Sequence, residues 1–289
     1  MNAQVIKDKI SKCYYHSLFV DSDIDSHPVK LINSVKSIIG IDFEIVQDKL
    51  LDYCIEYSKN CNHIDSFGVL EGKSTPAAVS FATLEESLIN SDFKGSLNNI
   101  DSLLKVSDGK HILEFLLEFC IKYKSDVFQL VWSVYKMSLF LDFKNINENI
   151  IFCAKYISIH KISSLNKINK GVDINFNNYS YSPDTIKKIL TYYSILNEEL
   201  VRGEKIKEYI KSNVSSQFDF SDSTKKLNFK KEQLDFGRRW IGLYFRDIDQ
   251  NSLSVDFIIT MDMFRSALKI SNGKNDKEIW SLVNNFLEK

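Results

Sequence analysis

Apolar residues recur at every third or fourth position along most of this chain of 289 residues. This spacing is typical of α-helices that bury one face, whereas β-strands alternate apolar and polar residues. Between residues 75 and 160 the pattern divides into five helices, each taking about 17 residues with its turn, so we expect antiparallel neighbours with short connections. The five predicted helices begin near Thr75, Asp92, Lys110, Asp126 and Asn145.

Prolines and glycines mark where predicted helices begin and end. Pro28, Pro76 and Pro183 each precede an apolar periodic run, as expected of proline in the first turn of a helix, where its missing N–H costs nothing. Gly109 and Gly273 follow such runs, in the position of C-terminal caps. The sequence therefore predicts an all-α fold of about 12–13 helices, stacked as antiparallel hairpins in a solenoid-like or an irregular array.

One long polar interval separates two groups of predicted helices. It runs from Ser163 to Ser182, is rich in asparagine, and contains the only alternating run that favours a strand, Val172–Phe176. Such a composition between periodic segments is typical of a loop or linker. We expect an N-terminal helical array over residues 1–170 and a C-terminal helical region over 171–289, which either pack as one domain or stand apart.

Charge and cysteine usage exclude several classes of protein. The formal net charge is −1, so no general attraction draws the chain to nucleic acid or to an anionic membrane. Residues 1–10 lack the apolar region expected of a secretory signal, and the most apolar stretch, Val127 to Leu141, is interrupted by Gln129, Ser133 and Lys136. The five cysteines fall mostly on apolar helical faces, which favours reduced thiols in a core. We therefore expect a cytoplasmic protein without membrane association.

Two short motifs approach a known kind of site without reaching its spacing. Gly68 to Thr75 is one residue short of a phosphate-binding loop and follows no buried strand, so Thr75 as a helix cap explains the same residues. Cys13 with His16 and Cys61 with His63 offer zinc-ligand types but not the paired knuckles of structural zinc sites. We predict neither a metal site nor a cofactor.

A polar stripe interrupts the otherwise apolar helix predicted over residues 110–124. His111, Glu114 and Glu118 lie on one narrow face of that helix, with Lys122 beyond them. If the stripe faces another polar surface inside the fold, the histidine and two carboxylates are candidate catalytic residues with shifted pKa values. If it faces water, it is the solvated edge of a central helix, which is the outcome we expect.

The arginine-rich segment from Asp235 to Arg246 departs most from ordinary helical scaffold. All five arginines of the chain follow residue 200, and arginine offers forked donors suited to carboxylate and phosphate. Read as one helix, the segment contains two glycines, each costing about 1 kcal/mol relative to alanine, which suggests close approach of a ligand or backbone. The predicted ligand- or partner-binding residues are Arg238, Arg239, Trp240, Arg246 and Arg265. The alternative is internal pairing of Asp235 with Arg239 and of Asp262 with Arg265.

Two classes of function follow from these features. The leading hypothesis is a non-enzymatic helical scaffold that binds a protein partner along a groove or through the arginine-rich face. The alternative is an enzyme or a binding protein for a small anionic ligand, with a pocket between helices. A nucleic-acid-binding module would rest only on Arg238, Arg239, Lys230 and Lys231, and is not expected. Neither substrate nor oligomeric state follows from the sequence.

Overall fold

The fold is all-α, as the periodicity predicts. A computed structural model describes residues 3–41, 43–68, 70, 72, 79–160, 183–213 and 227–288, without the side chains of 43–47 and 183. The first group of elements comprises α1 (Ala3–Leu18), β1 (Val20–Asp21), α2 (Pro28–Ile39), α3 (Phe43–Lys59), β2 (Asn62–His63), α4 (Phe81–Ile89), α5 (Phe93–Leu104), α6 (Gly109–Lys122), α7 (Phe128–Phe140) and α8 (Ile146–Ile159).

The second group of elements follows residue 182. It comprises α9 (Pro183–Leu196), α10 (Gly203–Asn213), α11 (Lys231–Phe236), α12 (Arg239–Asp247), a short 3-10 helix (Gln250–Ser252), α13 (Val255–Ser271) and α14 (Asp276–Leu287). The described part of the chain thus contains fourteen α-helices, slightly more than predicted. One reason is that the arginine-rich segment is not a single helix but two, α11 and α12, divided at Gly237.

Short polar side chains begin several of these helices. Asp92 and Asp108 accept hydrogen bonds from the backbone N–H groups of Gly95 and Lys110 at 2.8 and 2.6 Å, which satisfies donors that the first turn of a helix leaves without a partner. Pro28 and Pro183 each occupy the first position of a helix, as predicted. Pro76 lies outside the described residues.

Two predicted helix boundaries are wrong. The helix expected from Thr75 begins at Phe81, because Ser80 is extended and its hydroxyl caps the backbone N–H of Thr83. Gly109 does not end a helix but begins α6, behind the capping residue Asp108. Gly273 does follow a helix: Asn272 and Gly273 both have positive φ, 47° and 90°, and end α13.

Helix α2 lies at the centre of the fold and packs against α1, α3, α7 and α13. Its apolar residues on all sides are buried, among them Leu31, Ile32, Val35 and Ile38, each with no exposed surface. Of the two arrangements predicted, this packing corresponds to the irregular array, because a central helix contacts elements far from it in sequence.

Contacts cross the predicted domain division near residue 170. Helices α9 and α13 from the C-terminal side pack against α7 and α2 from the N-terminal side. The expected linker from Ser163 to Ser182 and the strand at Val172–Phe176 lie outside the described residues. The division into two domains stays a prediction.

The N-terminus of α2 is held by a buried histidine. The Nδ1 atom of His27 accepts from the backbone N–H of Val29 at 3.1 Å, while Nε2 lies 2.9 Å from the Tyr156 hydroxyl and 3.2 Å from the Val20 carbonyl. Burial lowers the pKa of His27 to about 3, so the ring is neutral near pH 7. Val20 belongs to the two-stranded antiparallel sheet, in which it pairs with His63.

The cysteines and helix lengths agree with two coarse expectations. All five cysteines are free thiols, and Cys13, Cys54, Cys120 and Cys153 are buried. Among the helices that the structure describes, none combines the length and apolar composition required to cross a bilayer.

Candidate functional site

A cleft of about 470 Å³ opens between α2, α7, α9 and α13. We call it the central cleft. Its walls combine apolar side chains, among them Trp132, Leu190 and Ile259, with polar residues that each of the four helices contributes. These include Lys30, Asn33, Ser34 and Ser37 from α2, Gln129, Ser133 and Lys136 from α7, Thr191 and Ser194 from α9, and Asp262, Arg265, Ser266 and Lys269 from α13.

Lys30 is the most unusual residue of the central cleft. Only 2% of its surface is exposed, yet its ammonium group has only distant partners among the described residues: the Gln129 Oε1 atom at 3.5 Å and the Asp25 carboxylate at 3.8 Å. Good hydrogen bonds to a charged nitrogen are about 2.7–2.9 Å long. A buried charge without close partners costs free energy, so Lys30 is poised to gain from an anion in the cleft.

The electrostatic surroundings of Lys30 agree with its geometry. Burial lowers its pKa to about 8, and the neighbouring ammonium of Lys187 acts in the same direction. The carboxylates of Asp25, Asp256 and Asp23 act in the opposite direction but do not restore the ordinary pKa. The side chain is therefore still mostly charged at pH 7 and close to the point where it loses its proton.

A second desolvated lysine lies behind the wall of the cleft. Lys36 donates a 2.8 Å hydrogen bond to the Oδ1 atom of Asn33, a residue that lines the cleft. Burial lowers the pKa of Lys36 to about 7, opposed by the carboxylate of Asp262 and assisted by the charges of Lys136 and Arg265. An anion in the cleft would favour the charged form of Lys36 as well.

Both carboxylates that line the central cleft are already engaged. Glu198 pairs with Lys136 at 2.5 Å, and Asp262 accepts a 2.6 Å hydrogen bond from the Nε atom of Arg265. The second pair confirms the predicted internal bridge between Asp262 and Arg265. The guanidinium of Arg265 still lines the cleft, and its NH1 and NH2 groups remain donors for a further acceptor.

The central cleft continues into a second, more cationic one. This arginine cleft, of about 400 Å³, is lined by Ser37, Gly40, Ile41, Phe236, Arg238, Arg239, Arg265 and Lys269. No carboxylate belongs to this described lining. Ser37, Arg265 and Lys269 line both clefts, so the two are contiguous.

Positive charge is concentrated in the two clefts. Together they are lined by six cationic side chains and two carboxylates, an excess of four positive charges in a protein whose net charge is −1. A concave surface with charge of one sign focuses the electric field and attracts counter-ions.

The structure brings together three of the five predicted binding residues. Arg238, Arg239 and Arg265 line the arginine cleft, although Arg265 comes from a different helix. Arg246 lies outside it, exposed, and forms a bidentate pair with Asp247 at 2.6 and 2.9 Å. Trp240 also lies outside, where its ring packs edge-on against Trp280 with centroids 5.3 Å apart.

No neighbouring backbone approaches the two glycines of this segment, so that half of the predicted reason for them is wrong. A Cβ atom added at Gly237 or at Gly242 would meet no atom of the described protein within 4 Å; the close approach of a ligand stays a prediction. Gly237 has φ +52° and ψ −138°, a conformation that favours glycine and ends α11. Gly242 lies in the middle of α12 without any such requirement.

The acidic stripe of α6 does not face water, contrary to our expectation. Glu114 is fully buried and Glu118 is 6% exposed, whereas His111 is half-buried. One oxygen of Glu114 accepts from the backbone N–H of Arg202 at 2.9 Å, and the other accepts from the Tyr135 hydroxyl at 3.3 Å. Glu118 accepts from the Nε atom of Arg202.

Through these contacts with Arg202, Glu114 and Glu118 join α6 to the start of α10. The guanidinium of Arg202 also lies over the rings of Phe81 and Phe115, 5.1 and 5.2 Å from their centroids. Neither Glu114 nor Glu118 lines the central or the arginine cleft. The hydrogen-bond partners of the two carboxylates therefore account for their burial. His111 lies apart from both clefts.

The other motifs form no cluster of metal ligands in the part of the chain that the structure describes. The imidazoles of His16 and His63 stack with centroids 4.2 Å apart, but no group of three or more potential metal ligands occurs among the described residues. Most of the loop from Gly68 to Thr75 lies outside them.

Sequence reasoning missed Lys30 and the central cleft. A signal was present in α2, where Lys30, Asn33, Ser34 and Ser37 follow the spacing of one helical face while the rest of the helix, apart from Lys36, is apolar. Comparison of the chain with protein families, with curated proteins and with solved structures yields no match. The two clefts are therefore the features from which a function can be inferred.

Proposed function

We propose that this protein binds a small anionic molecule in the central cleft and the adjoining arginine cleft. The observation that carries the proposal is Lys30, a 2%-exposed ammonium group that lines a cleft of about 470 Å³ and has no described partner closer than 3.5 Å. Binding sites for small molecules are typically concave, occur between packed helices and contain a few converging polar groups.

The excess of positive charge supports the same function. A phosphate or carboxylate group would offset the repulsion between the cationic side chains, and arginine binds such groups bidentately. Because desolvation strengthens electrostatic interactions, an anion beside Lys30 interacts more strongly than it would with an exposed lysine. No reaction is proposed, since the acidic stripe of α6 is occupied by Arg202.

Titration calorimetry with inorganic phosphate and with citrate tests this function. We expect Lys30→Met to weaken binding about 10-fold or more, because a hydrogen bond to a charged group contributes about 1.5–3 kcal/mol. Methionine keeps the length of the side chain and removes its charge. Lys207→Met is the matched control, because Lys207 lies on α10 and pairs with an exposed residue, Glu204; its affinity should equal that of the wild type. No binding of either anion, or equal binding by the Lys30 variant, would refute the proposal.

Binding of an acidic protein segment is the second candidate. Phe236 is 50% exposed and lines the arginine cleft beside Arg238 and Arg239, and an aromatic residue next to arginines is typical of the energetic centre of an interface. Phe236→Ser tests this candidate: it should abolish capture of a partner, whereas Lys30→Met, whose side chain does not line the arginine cleft, should leave that capture unchanged.

A further inference from the structure

Helices α2 and α13 run side by side in the same direction along the two clefts. Early in both helices, Lys30 of α2 lies close enough to Asp256 of α13 for that carboxylate to raise its pKa. Later in both, Ser37 of α2 and Arg265 of α13 line the junction of the two clefts. The combined cleft is therefore an elongated trough parallel to these two helices.

Cationic groups occupy both ends of this trough. Lys30 lies at one end, and Arg238, Arg265 and Lys269 lie at the other. Seven residues separate Lys30 from Ser37 at the junction, which corresponds to roughly 10 Å along a helix that rises 1.5 Å per residue. A ligand with a single anionic group could contact only one end.

The span between the two ends contains the paired side chains of Lys136 and Glu198 together with uncharged hydrogen-bonding groups. Ser34 and Ser133 line it, and the hydroxyl of Ser34 has no hydrogen-bond partner among the described residues. The Ser133 hydroxyl donates to the Gln129 carbonyl at 3.0 Å and retains its lone pairs as acceptors. Thr191 lies opposite, 3.4 Å from the Gln129 amide nitrogen. These groups match hydroxyls better than a hydrocarbon chain.

We infer that the ligand carries two anionic groups, one at Lys30 and one at the junction with the arginine cleft, roughly 10 Å farther along α2, joined by a hydroxyl-bearing span. Sugar bisphosphates have this chemistry. The inference rests on the proposed function and specifies the class of molecule that the same site binds. Both phosphates would be held by charge-assisted hydrogen bonds, and the hydroxyls would bond to the serine and threonine side chains of the middle span.

Calorimetry with three probes tests the inference: fructose 1,6-bisphosphate, fructose 6-phosphate and hexane-1,6-diol bisphosphate. We expect the sugar bisphosphate to bind about 10-fold or more tightly than the monophosphate, because it engages the second cationic end. The diol bisphosphate has the same separation without hydroxyls and should bind more weakly than the sugar bisphosphate.

Two single variants test whether each end of the trough binds one of the two phosphate groups. Lys30→Met and Arg238→Gln should each weaken binding of fructose 1,6-bisphosphate about 10-fold or more, whereas fructose 6-phosphate should respond strongly to only one of them. Arg238 is exposed, so its replacement leaves the fold intact, and the unliganded melting temperature of both variants verifies that they fold.

The outcomes distinguish failure of the inferred ligand class from failure of the proposed function. If the monophosphate and the bisphosphate bind equally and both depend on Lys30, the inference fails and the proposed function stands. The inference also fails if the diol and sugar bisphosphates bind equally. If none of the probes, inorganic phosphate or citrate binds, the proposed function itself fails.

Discussion

At the scale of single residues, Arg202 is the clearest example of a charged side chain with a structural role. It lies in the turn before α10, and its side chain, 16% exposed, pairs with the side chain of Glu118 of α6, which is also buried. The same guanidinium covers two phenylalanine rings. Arginine suits this position because its planar group can stack on aromatic faces while it donates hydrogen bonds.

Replacement of Arg202 by methionine should destabilise the fold by about 3–5 kcal/mol, because it leaves the carboxylate of Glu118 buried without its partner. Chemical denaturation measures this free energy of unfolding. The matched control is Lys207→Met, which breaks the pair with the exposed Glu204 and should cost less than about 1 kcal/mol.

A second variant separates the lost pair from lost packing. Adding Glu118→Leu to Arg202→Met removes the unpaired charge, so the double variant should be more stable than the single variant. If the double variant is no more stable than the single variant, the unpaired carboxylate is not the source of the loss and our account of the pair is wrong; a loss that persists in the double variant relative to the wild type measures the packing of Arg202 over Phe81 and Phe115.

The sequence reveals such pairs only where they are local. Asp262 and Arg265 are three residues apart on one helix, and their bridge is predictable from that spacing. Glu118 and Arg202 are 84 residues apart, and nothing in either segment identifies the other as its partner. For this reason the stripe of α6 was expected to face water.

At the scale of secondary-structure elements, the division between α11 and α12 depends on the backbone of one residue. Gly237 adopts φ +52°, where a side chain is strained, while Gly242 sits in the middle of α12 with open space around it. The two glycines look equivalent in the sequence, but the backbone conformation favours glycine at Gly237 and does not at Gly242.

Alanine substitutions at the two positions should therefore have opposite effects. Gly242→Ala should stabilise the protein by about 1 kcal/mol, since alanine is the better helix former and its Cβ would meet no neighbour. Gly237→Ala should destabilise it by about 1–3 kcal/mol, because alanine is strained at that φ. Thermal unfolding of the two variants checks both signs; effects of equal sign would contradict this account.

Most elements could be predicted from the sequence, and the errors have identifiable causes. Apolar spacing located the helices between residues 92 and 160 to within a few residues, because each begins at a cap or a turn with a sequence signature. The start of α4 was misplaced because Thr75 and Ser80 are equally suitable caps. Gly109 was misassigned because glycine is common on either side of a helix boundary.

At the scale of the whole molecule, the site is assembled from helices that the sequence does not place together. Polar residues on α2, α7, α9 and α13 form the central cleft, and each set taken alone is typical of a solvated helical face. Gln129, Ser133 and Lys136 appeared only as interruptions of an apolar stretch. The arginines after residue 200 were correctly identified as unusual, but their relation to α2 required the tertiary structure.

Binding of sulfate should weaken as the pH rises from about 7 to about 9.5. Sulfate keeps its charge over this range, whereas Lys30, whose pKa is about 8, loses its proton. Above pH 8 the protein must take up a proton to bind, so the dissociation constant should rise with pH toward that of Lys30→Met, by about 10-fold or more in total. Calorimetry across this range measures the slope.

Lys30→Arg is the control for this pH dependence, because a guanidinium stays charged. Its dissociation constant for sulfate should change much less between pH 7 and 9.5 than that of the wild type. A wild-type affinity that does not depend on pH would contradict the assignment of Lys30 to the site.

The lowered pKa of Lys30 also predicts how the stability of the ligand-free protein depends on pH. Because burial depresses the pKa of Lys30 from 10.5 to about 8, the unfolded chain binds more protons than the folded one between these values. The contribution of Lys30 to the free energy of unfolding therefore increases as the pH rises from about 8 to 10.5, and is lost as the pH falls again through 8. Lys30→Met should flatten this dependence in denaturation measured without ligand.

Helices α2 and α13, which form the long walls of the trough, are more than 200 residues apart in the chain. A nascent polypeptide that ends before residue 255 lacks one of these walls, and a helix pair so distant in sequence closes late in folding. Any occupant of the trough contacts both of these distant helices, and by mass action it favours chains in which the two are folded and packed together.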